Sequence, residues 1–133
     1  MTHLNDKALR GVEVVAEMLG RDTAERLKNF AVSGRFGAAL TEKALEFAFA
    51  DNWDEAGLSR RERSLVLIGA LVALRQPNEL KNHIRLGMAN GIAPNELEQV
   101  LLQLVPYVGF PATSTASTAI REVLTPVAKA TGD

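Results

Sequence analysis

Apolar residues recur at helical spacing along most of the chain, and each run is bracketed by residues that start or stop a helix. In the first, Leu9, Val12, Val15, Ala16 and Leu19 follow Asn5 and Asp6, which can cap, and precede Gly20, which suits a C-terminal cap; a helix is predicted there. Asp22 offers an N-cap for a short helix through Phe30, and the two glycines of Ser33-Gly34-Arg35-Phe36-Gly37 predict a loop. Thr41 is the expected cap of a third helix with Ala44, Leu45, Phe47 and Ala48 facing inward, closed by Trp53-Asp54-Glu55-Ala56-Gly57.

The fourth run differs in kind. Residues 65–74 are apolar on every face and follow Ser59-Arg60-Arg61-Glu62, a Ser-x-x-Glu capping box. A helix of this sort must be covered on most sides, by its own chain or by a partner subunit. A buried strand is the competing reading; length, capping box and the Gly69-Ala70 pair argue for the helix. Pro77 forbids its continuation, and Asn78 is the expected cap of a fifth helix with core stripe Leu80, Ile84, Gly87 and Met88 and Gly91 just past its end. Pro94 opens a sixth, with Leu97, Val100, Leu101, Leu104, Val105 and Val108 on one side and Pro106 near its end. A last helix runs from about Ala112 to Leu124, and the tail after Pro126 is expected to fray. The pattern predicts an all-α, single-domain bundle of six to seven helices spanning residues 1–133, with no convincing strand.

Composition narrows what such a bundle does. At 133 residues the chain can bury a core without disulfides or metal. A formal net charge of −1 gives no electrostatic footprint for nucleic acid, although Arg60, Arg61 and Arg63 cluster. With no cysteine, disulfide scaffolds, thiolate zinc sites and thiol redox chemistry are excluded. No export signal is seen at the N-terminus, and the longest apolar run falls well short of the roughly 18 residues that a membrane span needs. A cytoplasmic protein is expected.

The candidate chemistry lies in the fifth helix. His83 follows Glu79 by four residues, which puts the two side chains one turn apart on one face, just beside the Leu80–Ile84 stripe. Such a pair is also a common surface arrangement; its position at the edge of a core makes it a candidate for proton transfer. Arg85 points about 200° away from His83 and is excluded from a site on that face. Arg63 stands in line with Leu67, Ala70 and Leu74, where it either snorkels to water or serves an anion. Tyr107 shares a face with Gln103 and Val100 and is read either as core packing or as a hydroxyl in need of a partner. His3 lies near a terminus, so no histidine metal triad can be assembled, and no glycine-rich phosphate loop is present.

In order and spacing, Trp53, Gly57-Leu58, Arg63-Ser64-Leu65, Glu79-Leu80-x-x-His83, Asn90-Gly91, Glu96-Leu97-x-x-Val100-Leu101-Leu102-Gln103 and Tyr107-x-Gly109-x-Pro111-Ala112 resemble the carboxymuconolactone decarboxylase family. The likeness covers about residues 53–124. It implies an alkylhydroperoxidase D-like helical fold and a homo-oligomer, trimer or hexamer, packed through the apolar central helices. Gln76 and Glu79 stand where the thiol-bearing sister branch has its Cys-x-x-Cys, so thiol peroxidase activity is excluded. Val108 and Thr113-Ser114 depart from the decarboxylase pattern.

The resemblance implies a cofactor-free decarboxylase acting on a small unsaturated lactone carboxylate such as 4-carboxymuconolactone, in aromatic-compound degradation. Loss of carbon dioxide leaves a dienolate, so the substrate is its own electron sink and neither metal nor organic cofactor is required. On this reading His83 delivers the proton, Glu79 orients it or tunes its pKa, and Arg63 binds substrate with help from Arg60 or Tyr107. The alternative is a non-catalytic member of the fold that binds a small anion or serves as an assembly subunit, in keeping with the departures at Val108 and Thr113.

Overall fold

A computed structural model describes residues 3–125; the fraying expected after Pro126 falls outside them. Among these residues the architecture is all-α, with seven α-helices, one π-helix and no strand. The chain forms two compact units, one ending at Ser59 and the other beginning at Arg60.

The first unit holds α1 (Asp6–Leu19), α2 (Arg21–Ala31), α3 (Ala38–Lys43) and the π-helix (Ala44–Trp53). Asn5 starts α1: its Oδ1 accepts from the Ala8 N–H at 2.8 Å, while its Nδ2 donates to Glu46 Oε1 at 2.9 Å. One side chain thus caps a helix and satisfies a buried carboxylate. Gly20, at φ 95°, ends α1 and directly precedes α2, so Asp22 falls inside the first turn of α2 instead of capping it. The core joins Ala8, Val12, Val15, Ala24, Ala31 and Leu45; Leu9, expected inside, is exposed on the flank.

The third predicted helix differs most. Gly37, at φ 93°, precedes α3, so Thr41 lies inside it and caps nothing. From Ala44 the winding loosens to the i→i+5 pattern. Leu45 and Trp53 are buried and Phe49 packs partly against the core, a recurrence every four residues that replaces the α period. The phase slip turns Glu46 inward and Phe47 outward, where the Phe47 ring lies 5.1 Å from Lys7 Nζ and 5.9 Å from Lys43 Nζ.

The second unit contains α4 (Arg60–Ala73), α5 (Pro77–Ala89), α6 (Pro94–Val108) and α7 (Phe110–Leu124) around Ile68, Val72, Leu80, Ile84, Ile92, Leu97, Ala116 and Ile120. On α4 only Ser64, Ile68 and Val72 are buried; Val66 stays 65% exposed and Leu74, just past its end, 67%, so its own chain covers one stripe and not all faces. Gln76 holds the N-cap position of α5 and Pro77 its first turn, displacing Asn78 from the expected capping role; Gly91, at φ 101°, takes the chain out. Pro94 opens α6, where the Glu96 carboxylate accepts from the Ala93 N–H at 3.0 Å and pairs with Arg61 across to α4. α7 starts at Phe110, two residues earlier than expected.

Helix α1 meets the π-helix backbone to backbone at Gly11, where an added Cβ would stand 2.0 Å from the Leu45 carbonyl oxygen. Gly11→Ala is therefore expected to cost about 2–3 kcal/mol, since main chain must shift to admit it. Gly57→Ala, with nothing within 4 Å, serves as control. Thermal melts should show a lowered midpoint for Gly11→Ala alone; equal midpoints would refute the close packing.

Candidate active site

Helix α5 is buried over a wider arc than its Leu80–Ile84 stripe, because Leu86 is also buried, 3% exposed. At about 100° per residue, His83 lies some 60° from Leu80 on one side and from Leu86 on the other. The imidazole is therefore set within the buried arc, with 22% of its side chain exposed, instead of at the margin where the apolar stripe had put it. Glu79, one turn toward the start of α5, keeps 60% of its side chain in solvent.

The two groups meet at 3.9 Å, His83 Nε2 to Glu79 Oε2. That is beyond hydrogen-bonding distance, so Glu79 acts on the imidazole through its field. Burial pushes the His83 pKa below the usual histidine value, and the Glu79 carboxylate works in the opposite direction with smaller effect. The free imidazole is thus mostly neutral at pH 7. An anionic ligand beside it would add to the pull of Glu79 and favour the protonated form.

The other expected site residues are spread along the second unit. Ser64 of α4 packs toward Gly87, where an added Cβ would lie 3.7 Å from the Ser64 Cβ, and the Ser64 hydroxyl accepts from Asn90 Nδ2 at 3.0 Å. Arg63, half-buried, therefore enters level with the last turn of α5, about six residues or 9 Å along the axis from His83. Arg60 lies a turn further back on α4, and both arginines have partners within the chain. Tyr107, near the end of α6, is 80% exposed. Arg85 is exposed and donates to Asn82 Oδ1 at 3.4 Å, on the side away from His83 as expected. The structure brings Glu79 and His83 together, and among the described residues no hydrogen bond or ion pair joins Arg60, Arg63 or Tyr107 to either.

Two features escaped the sequence reading. The Ser64–Asn90 bond ties α4 to the end of α5; both residues stand in the family-like pattern, but nothing in their spacing pairs them. The burial of Leu86 left no periodic signal. Among the described residues no three histidine, aspartate or glutamate side chains converge as metal ligands.

A groove of about 510 Å³ lies between α4 and α6, floored by Leu65, Gly69, Val100 and Leu104 and edged by the Arg61–Glu96 pair. Neither Glu79 nor His83 lines it. Its polar groups are two amides and an arginine already neutralised by a carboxylate, so it offers no proton donor, and the α5 pair is the better candidate centre.

The family model described as the carboxymuconolactone decarboxylase family matches residues 38–122, taking in α3 to most of α7. A 4-carboxymuconolactone decarboxylase from Acinetobacter baylyi is 35% identical over 115 residues, 86% of this chain and 84% of that protein. A nitrosuccinic acid decarboxylase from Metarhizium robertsii is 30% identical over 103 residues, 77% of this chain and 70% of that protein.

The electrostatics of the pair can be read directly, because the chain has only two histidines, His3 and His83. The C2 proton of His83 should titrate below the usual value near 6.5, and Glu79→Gln, which removes the raising influence, should move it lower still. A rise in Glu79→Gln, or no change, would show that the carboxylate does not act on the imidazole.

Proposed function

As the chain belongs to the carboxymuconolactone decarboxylase family, we propose that it is a cofactor-free decarboxylase of a small unsaturated lactone carboxylate such as 4-carboxymuconolactone, serving aromatic-compound degradation in the cytoplasm. The observation that carries the reading is the Glu79–His83 pair: a mostly buried imidazole with a carboxylate 3.9 Å away, on the helix that the family match spans. In the reaction the carbon–carboxylate bond breaks, carbon dioxide leaves, and the electron pair moves through the double bond into the lactone carbonyl. His83 then gives its Nε2 proton to carbon and is reprotonated from solvent. Glu79 supports the imidazolium, and Arg63, with Arg60 or Tyr107, binds the substrate anion.

The relative named for nitrosuccinic acid supports a second substrate with the same residues in the same roles. There the electrons move into a nitro group, giving a nitronate that takes a proton at carbon. In both cases the electron sink belongs to the substrate.

The protein is proposed to act as a homo-oligomer, a trimer or hexamer. In the second unit Val66, Leu74, Leu102, Tyr107 and Phe110 are between 58% and 80% exposed, and Leu97 is the only buried residue of α6. So much apolar surface on one small unit calls for a partner. A second copy covering α6 would also enclose Tyr107.

Three outcomes follow. Light scattering at micromolar concentration should report at least a trimer, and a clean monomer would refute the assembly. His83→Gln should lower kcat by about 10²–10⁴ while remaining folded and assembled; full activity would end the proton-donor role. Since the free His83 must gain its proton, kcat/KM should fall as pH rises through its lowered pKa, whereas kcat, which reports the complex with an anion, should fall at higher pH. A kcat/KM that rises across the same range would make the imidazole a base.

A further inference from the structure

Six described residues have a positive φ between 56° and 101°: Gly20, Gly34, Gly37, Gly91, Gly109 and Arg75. Five are the glycines that such backbone favours, and Arg75, at φ 56°, is the exception. It holds the left-handed position that ends α4: its own N–H bonds the Val72 carbonyl at 3.1 Å and the next N–H, from Gln76, reaches back to Leu71 at 3.1 Å. Glycine meets this requirement without strain, so the backbone gives no reason for arginine.

The side chain does. Arg75 is exposed, and its guanidinium makes no hydrogen bond or ion pair among the described residues. The other arginines of this unit differ: Arg60 and Arg63 have partners, Arg61 pairs with Glu96, Arg85 donates to Asn82, and Arg121 approaches Thr118 at 3.5 Å. Arg75 also stands four residues before Glu79, at the end of α5 toward which the His83 and Glu79 side chains lean. Arg63 enters at the opposite end. The two arginines therefore bracket His83 along the α5 axis, one engaged and half-buried, the other free in solvent.

We propose that Arg75 is a specificity-determining residue that grips the retained carboxylate of a dicarboxylic substrate at the α4–α5 turn, while the carbon to be protonated lies over His83. This rests on the decarboxylase reading and adds to it the residue that recognises the second carboxylate, a few bonds from the one that is lost. The reason is electrostatic. A guanidinium on the departing carboxylate would stabilise the ground state and slow its loss, whereas on the retained one it holds ground and transition states alike.

The test compares Arg75→Gly, Arg75→Gln and Arg75→Lys with the parent, using 4-carboxymuconolactone and its analogue with the retained carboxylate replaced by a methyl ester. For the diacid, Arg75→Gly and Arg75→Gln should raise KM tenfold or more with kcat within about threefold, and Arg75→Lys should recover part of the loss. For the ester the variants and the parent should agree within about threefold. Arg75→Gly should also melt no lower than the parent, because the strained position is relieved. Equal KM values for the diacid, or the same loss on both substrates, would overturn the assignment. Succinate, which carries no electron sink, separates this proposal from the reaction itself: its binding, followed by the shift of the His83 C2 proton, should weaken tenfold or more in Arg75→Gly. Arg75-dependent succinate binding without turnover would count against the decarboxylase alone, and turnover with Arg75-independent KM would count against Arg75 alone.

Discussion

The close approach of α4 to α5 at Gly87 governs the second unit. A Cβ at that residue would stand 3.1 Å from Ile68 Cδ1 and 3.2 Å from Ile92 Cδ1, so the missing side chain lets α4 and the segment after α5 close on the same patch of helix. Such contact fixes register in a way that looser packing does not. With Ser64 opposite Gly87 and bonded to Asn90, α4 and α5 run antiparallel, the residues around Arg63 fall at one end and the turn bearing Arg75 at the other. His83 is held between them, and its partial burial follows from where Leu80 and Leu86 lie around it.

Burial and charge then act on the imidazole in opposite directions. Desolvation lowers its pKa and Glu79 offsets part of this, leaving a histidine that is neutral when alone and more readily protonated when an anion arrives. For a reaction that consumes one proton and generates a carbanion equivalent from an anionic substrate, that coupling ties the acid form to the occupied site. No tight hydrogen bond between Glu79 and His83 is needed, and at 3.9 Å none is made.

Helix positions in the second unit were legible in the sequence because its signals are local and redundant: Pro77 and Pro94 at helix starts, Gly91 past a helix end, apolar residues at three- and four-residue spacing. Cap identity was less so, since Asn78 and Thr41 can cap equally well on paper and the glycine or proline nearby decides. The π-helix was not legible. Its α-like composition hides a loosened winding that exposes Phe47, buries Glu46, and is held against α1 by Asn5 and Gly11, contacts distant in sequence. The Glu79–His83 pair was visible from spacing alone, but its depth was not, because Leu86 follows no stripe. The Arg75 backbone had no signal either, as an arginine gives no hint of positive φ.

The central claim is that His83 hands a proton to a carbanion held on one side of it. It is tested most directly by turnover in deuterium oxide, with the position and geometry of deuterium in the product read by nuclear magnetic resonance. One deuterium delivered to a single face of the protonated carbon is the predicted result. Deuterium spread equally over both faces would mean that solvent, and not a residue fixed on α5, protonates the intermediate, and would contradict the account.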